Sequence, residues 1–465
     1  MNDTPTAPPS FSIAAKLAYG AGDMGTGMTT NLIAFSSLIF LTSVAGLSPG
    51  MAGTVLLIGK AWDAVNDPMI GILSDRTRSR WGRRYPWMFI SALPFGLTFF
   101  LTWIVPGFEE PQSKFWYYVI TSVLFQVFFT TVNLPYSTLT AELTQDYDER
   151  TELTSFRLSF SLAGAIAALA LGLVISGIIT DLQTQYLVLG GVCATLSIIP
   201  IFACIFGTYP RFRTQQAQLI QRHDKADLST TMPLGQQLKV ALRNRAFLYV
   251  IGIYLFAWLA LQVTASVLPF YVNYWMEQDS YFLAALLVQG IAIPMMFVCN
   301  LISKRVGKRG LFFIGAGSWI IVQVGLFFLQ PGQLGLMYGL CMAASFGVAT
   351  AYVVPWAMLP DVIELDELET GERREGIFYA FMTFLQKLGL AGGLWLVGQV
   401  LEFSGFIADA PDQVDSALWA IRACMGFVPL GLLLCGLVLV YFYPLTREIH
   451  AEALLKLQAK RDNLT

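Results

Sequence analysis

The sequence predicts an all-α membrane protein of about twelve transmembrane helices, arranged as two six-helix bundles with both termini cytoplasmic. Three observations lead there. Hydrophobic residues make up 55% of the 465-residue chain and charged residues only 13%, against about 45–50% and about 25% in ordinary soluble domains. A soluble fold could not cover its surface with so few charges, so the surrounding medium is lipid. Long apolar runs recur along the whole chain, and basic residues gather in alternate connections between them.

A helix rising 1.5 Å per residue needs about 20 apolar residues to cross a hydrocarbon layer of about 30 Å. Such runs lie near 16–45, 51–73, 86–105, 115–142, 156–179 and 185–207 in the first half. In the second half they lie near 246–275, 281–302, 311–330, 335–358, 377–403 and 416–443. Connections such as AGLSPG at 45–50, PGFEEPQS at 106–113 and QPGQ at 330–333 are short and carry no base. Of the 29 Lys and Arg residues, all but Lys60, Lys114, Lys387 and Arg422 fall on the other side, which the positive-inside rule makes cytoplasmic. The longest polar stretch, 208–244, holds Arg211, Arg213, Arg222, Lys225, Lys239 and Arg243 and is expected to be a cytoplasmic linker. It would divide an N-terminal bundle at 1–207 from a C-terminal bundle at 245–443, with a cytoplasmic tail at 444–465. The first ten residues have no basic n-region, so they do not resemble a cleavable signal peptide.

The halves echo each other in order. GILSDRTRSRWGRR at 71–84 is matched by NLISKRVGKRG at 300–310, and NLPYSTLTAEL at 133–143 by VVPWAMLPDVI at 353–363. DERTE at 148–152 is likewise matched by GERRE at 371–375, the pattern of a parallel internal repeat.

Several function classes are disfavoured. A formal charge of -2 gives no basic surface for nucleic acid. The six cysteines lie singly in apolar stretches, without disulfide or zinc spacing, and read as packing residues. His223 and His450, both in polar segments, are the only histidines. No nucleophile–base or metal set points to an enzyme, and a receptor would be expected to carry an appended signalling domain larger than the 22 residues that follow Tyr443 here.

Charge inside a span costs about 2.5–3.5 kcal/mol on insertion scales and so needs a reason. In the second span, GKAWDAVNDPMIG, Asp63 and Asp67 are i,i+4 with Lys60 one turn earlier, so all three lie on one helical stripe beside Asn66. Two carboxylates this close repel unless a cation or a proton intervenes. The plainer alternative is a Lys60–Asp63 pair that holds helices together, with Asp67 at a wet span end. Asp23 lies in the glycine-rich YGAGDMGTG of the first span, either as a site residue or as a solvated end charge. Thr130, Thr131 and Asn133 precede Pro135, whose missing N–H leaves a carbonyl free. Hard cations favour such a set of carboxylate, amide and hydroxyl oxygens. Lys387 is the only charge in the eleventh span and would seek a carboxylate or an anionic ligand.

GDMG, WDAVNDP with DRTR and RWGRR, and PWAMLPDVIELDELETGERREGIFYAF with LQK together resemble the glycoside–pentoside–hexuronide:cation symporters of the major facilitator superfamily, the melibiose permease-like transporters. The likeness runs over nearly the whole chain. It implies the major facilitator fold with a ligand site between the halves, and cation-coupled symport by alternating access. It implies a cation site at Asp63, Asn66, Asp67 and Thr130, occupied by Na⁺ or H⁺. Na⁺ is favoured because a proton would leave the oxygens of Asn66 and Thr130 idle. It implies substrate contacts at Asp23, Asn133, Ser137, Arg157, Tyr352, Thr383 and Lys387. The loop with Asp75, Arg76, Arg83 and Arg84 resembles the superfamily's cytoplasmic latch, and is otherwise a topology signal. The sequence departs at Asn133, where a sugar-binding aspartate is expected, and at Ser137, where a stacking tryptophan is expected.

The expected partners are a small sugar-like solute, the coupling cation and membrane lipid, with no nucleic acid and no cofactor, and the protein is expected to work as a monomer in the plasma (inner) membrane. The chain also resembles the sodium-coupled lysophosphatidylcholine transporters around the aspartate pair, the NLPYSTL-like segment and the Lys387 region. Transport of an amphiphile is therefore the alternative. A non-transporting membrane receptor is the alternative from another class.

Overall fold

The computed structural model describes residues 11–144, 146–221, 244–370, 375–408, 410 and 412–445, and every regular element in them is a helix. In chain order these are α1 (Ile13–Ala21), α2 (Met24–Ile39), α3 (Pro49–Arg76), α4 (Tyr85–Leu101), α5 (Pro111–Leu143), α6 (Tyr147–Ile178) and α7 (Leu182–Gln221). There follow α8 (Arg245–Phe270), α9 (Phe282–Phe328), α10 (Leu334–Thr370), α11 (Glu375–Phe403), α12 (Asp415–Met425) and α13 (Phe427–Phe442). Residues 222–243 of the expected linker, 371–374 of GERRE and 446–465 of the tail lie outside the described residues, as do His223 and His450. Helix α7 runs on to Gln221, so the start of the expected linker is helical.

Among the described residues, 9 helical stretches are long and apolar enough to cross a membrane. Three helices depart from a single apolar span, each for a physical reason. Helix α3 spans 28 residues but carries Lys60, Asp63 and Asp67 in its interior. Helix α4 is apolar throughout but only 17 residues long. Helix α9 runs 47 residues, about twice what one crossing needs, and is broken at Gly307 (φ 74°, ψ 170°), a conformation that disfavours any residue with a Cβ.

The internal repeat is visible in matching local devices. A π-helical turn at Phe40–Val44 ends the first apolar stretch, and another at Tyr271–Trp275 ends the stretch begun by α8. The loop after α3 turns at Gly82 (φ 81°) just before Arg83 and Arg84, as the break in α9 turns at Gly307 just before Lys308 and Arg309. Pro135 lies inside α5 and Pro355 inside α10.

The chain divides into two compact units, Met1–Ile33 with Trp62–Leu228 and Ala34–Ala61 with Ser229–Thr465. The first unit has an aromatic core in which Phe95, Phe99, Phe125 and Phe129 pack ring to ring, and Trp103 stacks on Tyr186 at 5.8 Å. Its first span approaches its neighbours through glycine. A Cβ on Gly27 would lie 2.0 Å from the Ser161 carbonyl oxygen, and one on Gly25 2.6 Å from that of Ser197. In the second unit, residues 34–61 pack against the later helices. The Gly50 N–H donates to Glu402 Oε2 (3.0 Å), Gln399 Nε2 donates to the Gly50 carbonyl (3.2 Å), and Tyr281 donates to Ser36 Oγ (2.6 Å). All six cysteines are free thiols, five of them buried and Cys435 exposed.

Candidate functional site

The face of α3 bearing Asp63, Asn66, Ile70 and Ser74 is buried, whereas Trp62, Val65, Met69, Ile72 and Leu73 are exposed. The helix therefore turns its polar stripe inward and an apolar stripe outward, as a lipid-facing amphipathic span must. Asp63 is fully buried and Asp67 half-buried. On α5, the buried Thr130 Oγ1 lies 2.9 Å from Asp63 Oδ1 and 3.1 Å from Asp67 Oδ1. One hydroxyl holds one proton and can serve only one carboxylate at a time, so the two carboxylates meet at this shared donor, close enough for their charges to repel. Asn66 Nδ2 donates to the Gln126 carbonyl at 3.3 Å, which orients the amide on the same pair of helices. Among the described residues, no group of three or more His, Cys, Asp or Glu is arranged to hold a metal. A two-carboxylate set with neutral oxygens fits a monovalent cation or a proton better than a transition metal.

Asp23 sits in the two-residue interruption between α1 and α2, where its N–H bonds back to the Gly20 carbonyl at 3.1 Å. The residue is buried and forms an ion pair with Arg157 of α6, Nε to Oδ2 3.4 Å. Thr26 Oγ1 donates to the Asp23 side chain and to its carbonyl, the latter at 2.8 Å. Nearby, Tyr136 donates to the Tyr19 carbonyl at 2.7 Å, and the Tyr19 hydroxyl bonds Thr140. Helix α5 is thereby fixed to α1. Asn133 and Ser137 are half-buried on α5, and Ser137 Oγ donates back to the Leu134 carbonyl at 2.9 Å.

In the second unit, Tyr352 meets Trp258 edge to face at 5.4 Å. That contact belongs to a run of rings in which Trp258 stacks on Tyr254 (5.8 Å), Tyr254 meets Trp356 (5.9 Å) and Trp356 stacks on Tyr379 (6.1 Å). Trp258 Nε1 donates to the Gln386 carbonyl at 2.9 Å, which anchors α8 to α11 beside the half-buried Lys387. Thr383, one turn before Lys387, is exposed, and its hydroxyl bonds the Tyr379 carbonyl at 3.0 Å.

The loop after α3 is tied down by Arg84, whose guanidinium contacts Asp75, Ser74 Oγ (2.7 Å) and Glu142 Oε1 (3.3 Å). Arg83 joins the same Glu142 oxygen at 2.7 Å. Asp75, Arg83 and Arg84 thus come together. Among the described residues Arg76 makes no ion pair, and Glu142 is a member that sequence reasoning missed. The second unit has a parallel device, Lys308 Nζ on both Asp361 oxygens at 2.7 Å and on the Ala357 carbonyl at 2.7 Å. Thr26, Trp258, Tyr254 and Trp356 were also missed. Trp356 stands in the quoted PWAMLPD motif, which is the one signal that pointed there.

Residues 18–447 match the family described as MFS/sugar transport protein. An uncharacterized symporter of Synechocystis sp. is 42% identical over 96% of this chain and 97% of its own length. The putative glycoside/cation symporter YagG of Escherichia coli is 28% identical over 94% of this chain and 93% of its own. The sodium-dependent lysophosphatidylcholine symporter 1 of Gallus gallus is 27% identical over 97% and 90%. Among solved structures, a D-xylose-proton symporter superposes with a TM-score of 0.62 at 17% identity, covering 93% of this chain and 97% of that one. The nucleoside transporter NupG gives 0.62 at 14% identity, covering 93% and 98%.

Proposed function

The chain belongs to the MFS/sugar transport protein family and is an integral multi-pass membrane transporter rather than an enzyme, and from that premise we propose that it is a cation-coupled symporter of a sugar-like solute. The observation that carries the coupling is the convergence of Asp63, Asp67 and Thr130 on one point inside the first unit. A cation at this point relieves the carboxylate repulsion and draws α3 toward α5, which is how binding energy becomes a conformational bias. Asn66 completes the set. Na⁺ uses all four groups, whereas H⁺ needs only one carboxylate, so Na⁺ is the favoured ion. One charge moving down 100 mV supplies about 2.3 kcal/mol, roughly a 50-fold gradient of solute.

Substrate recognition is assigned to Asp23, Asn133, Ser137 and Arg157 in the first unit and to Tyr352, Thr383 and Lys387 in the second. The buried Asp23–Arg157 pair supports a hydroxyl-rich ligand, because a charge pair offers acceptors and donors that an acyl chain cannot use. Taking α3 and α4 as spans, α9 as two spans divided at Gly307, and α12 with α13 as one gives twelve crossings. The basic connections then place both termini in the cytoplasm. The latch role goes to Asp75, Arg76, Arg83 and Arg84, with Glu142 as the group that gathers Arg83 and Arg84. The protein is taken to function as a monomer in the inner membrane. A second reading, transport of a lysophospholipid, has support in the 27% identity to a symporter of that kind and in the aromatic run through Trp258 and Trp356.

Substrate affinity at fixed pH, with Na⁺ exchanged for choline and proton release followed on binding, tests the ion. Affinity should fall without Na⁺. Indifference to Na⁺ with steep pH dependence would leave a proton site at the same carboxylates.

A further inference from the structure

Beside the residues given the latch role, the loop between α3 and α4 and the start of α4 form an open pocket of about 370 Å³ lined by Ser79, Arg80, Trp81, Pro86, Phe89 and Ile90. This lies within the ~300–1,000 Å³ typical of small-molecule sites. We propose that it binds the headgroup of an anionic phospholipid from the membrane leaflet on the protein's basic side, with an acyl chain lying along the outer face of α4.

Three observations support that occupant. The first is uncompensated charge. Arg83 and Arg84 are held by Glu142 and Asp75, but Arg76, Arg78 and Arg80 are exposed and, among the described residues, make no ion pair. The second is the build of the wall. Trp81 packs edge to face on Phe89 (5.2 Å) and tilts against Tyr209 (6.3 Å), which fixes its ring at the pocket although 42% of it is exposed. Ser79 Oγ accepts the Trp81 N–H at 3.2 Å, so the hydroxyl proton remains available for a phosphate oxygen. The third is direction. Ile90, Leu93 and Leu97 follow the pocket at one-turn spacings on α4 and are 70%, 61% and 58% exposed, forming an apolar track that begins where the arginines end. Arginine, then tryptophan, then aliphatic side chains along α4 reproduce the order of a phospholipid from phosphate to glycerol to chain.

The test uses the purified full chain, delipidated in detergent and titrated with phosphatidylglycerol or phosphatidylcholine, with bound lipid counted by native mass spectrometry. The Arg80→Gln variant should lose phosphatidylglycerol affinity about fivefold, corresponding to the ~1 kcal/mol that each basic residue near an anionic surface contributes. Arg78→Gln with Arg80→Gln should lose about 25-fold on the same basis. Arg80→Lys, which keeps the charge, should retain most of the affinity. Arg305→Gln, in the other unit's basic connection, should change nothing. Unchanged phosphatidylglycerol binding in the double variant would overturn the proposal. So would equal binding of phosphatidylcholine, equal loss in Arg305→Gln, or displacement of the lipid by free glycerol phosphate at the lipid's own concentration.

Discussion

Thr130 shows how much a single hydroxyl constrains the chemistry. It lies within hydrogen-bond distance of two carboxylates one turn apart on α3, and no rearrangement of its one proton satisfies both. Asp63→Cys and Asp67→Cys should therefore each abolish gradient-driven accumulation while the protein still inserts. Wild-type accumulation by either variant in proteoliposomes would remove the ion site and favour a Lys60–Asp63 structural pair. Thr130→Ala removes a neutral ligand and leaves both charges, so cation affinity should fall about 10- to 100-fold, in line with the ~1.5–3 kcal/mol of a hydrogen bond to a charged group. A cation titration followed by calorimetry or thermal stabilisation measures it. The aspartate pair was legible in the sequence because a carboxylate in a span is costly and therefore conspicuous. Glu142 was not. An acid at the end of a span looks like any solvated charge until folding brings it, 59 positions away, onto Arg83.

At the scale of elements, helix α3 would be missed by apolar length alone, because the residues proposed to form the cation site are those that spoil its hydropathy. The periodicity of the exposed Trp62, Val65, Met69 and Ile72 identifies it as a span instead. The glycine-rich run of the first span was legible in the sequence, and the structure specifies what its glycines approach. A methyl group on Gly27 would meet the Ser161 carbonyl at 2.0 Å, with backbone that cannot swing away. Gly27→Ala should accordingly destabilise the first unit by about 1–3 kcal/mol, the usual cost of overpacking, read as a lower melting temperature in detergent. An unchanged melting temperature would mean that α2 and α6 separate more readily than their packing indicates. The interruption at Gly22–Asp23 was not legible, since glycine permits a break without requiring one.

For the whole molecule, the all-helical fold was read from composition and the spacing of apolar runs, and the repeat from paired motifs whose counterparts are structural: Gly82 with Gly307, Pro135 with Pro355, and the two π-helical turns. The packing of residues 34–61 with the later helices was invisible, because glycine contacts such as Gly53 with Gly398 leave no periodic signature. The sequence narrows the substrate no further than a sugar-like solute or an amphiphile, since Asn133 and Ser137 depart from the sugar-binding pattern that the rest of the chain resembles. The most direct test is uptake by proteoliposomes of labelled galactosides, pentosides, hexuronides and lysophosphatidylcholine, with and without an inward Na⁺ or pH gradient, in wild type and Asp63→Cys. The account predicts that a sugar-like solute accumulates above equilibrium only when the cation gradient is present, and that Asp63→Cys fails to accumulate it. Accumulation indifferent to both gradients, or equal in the variant, would contradict it.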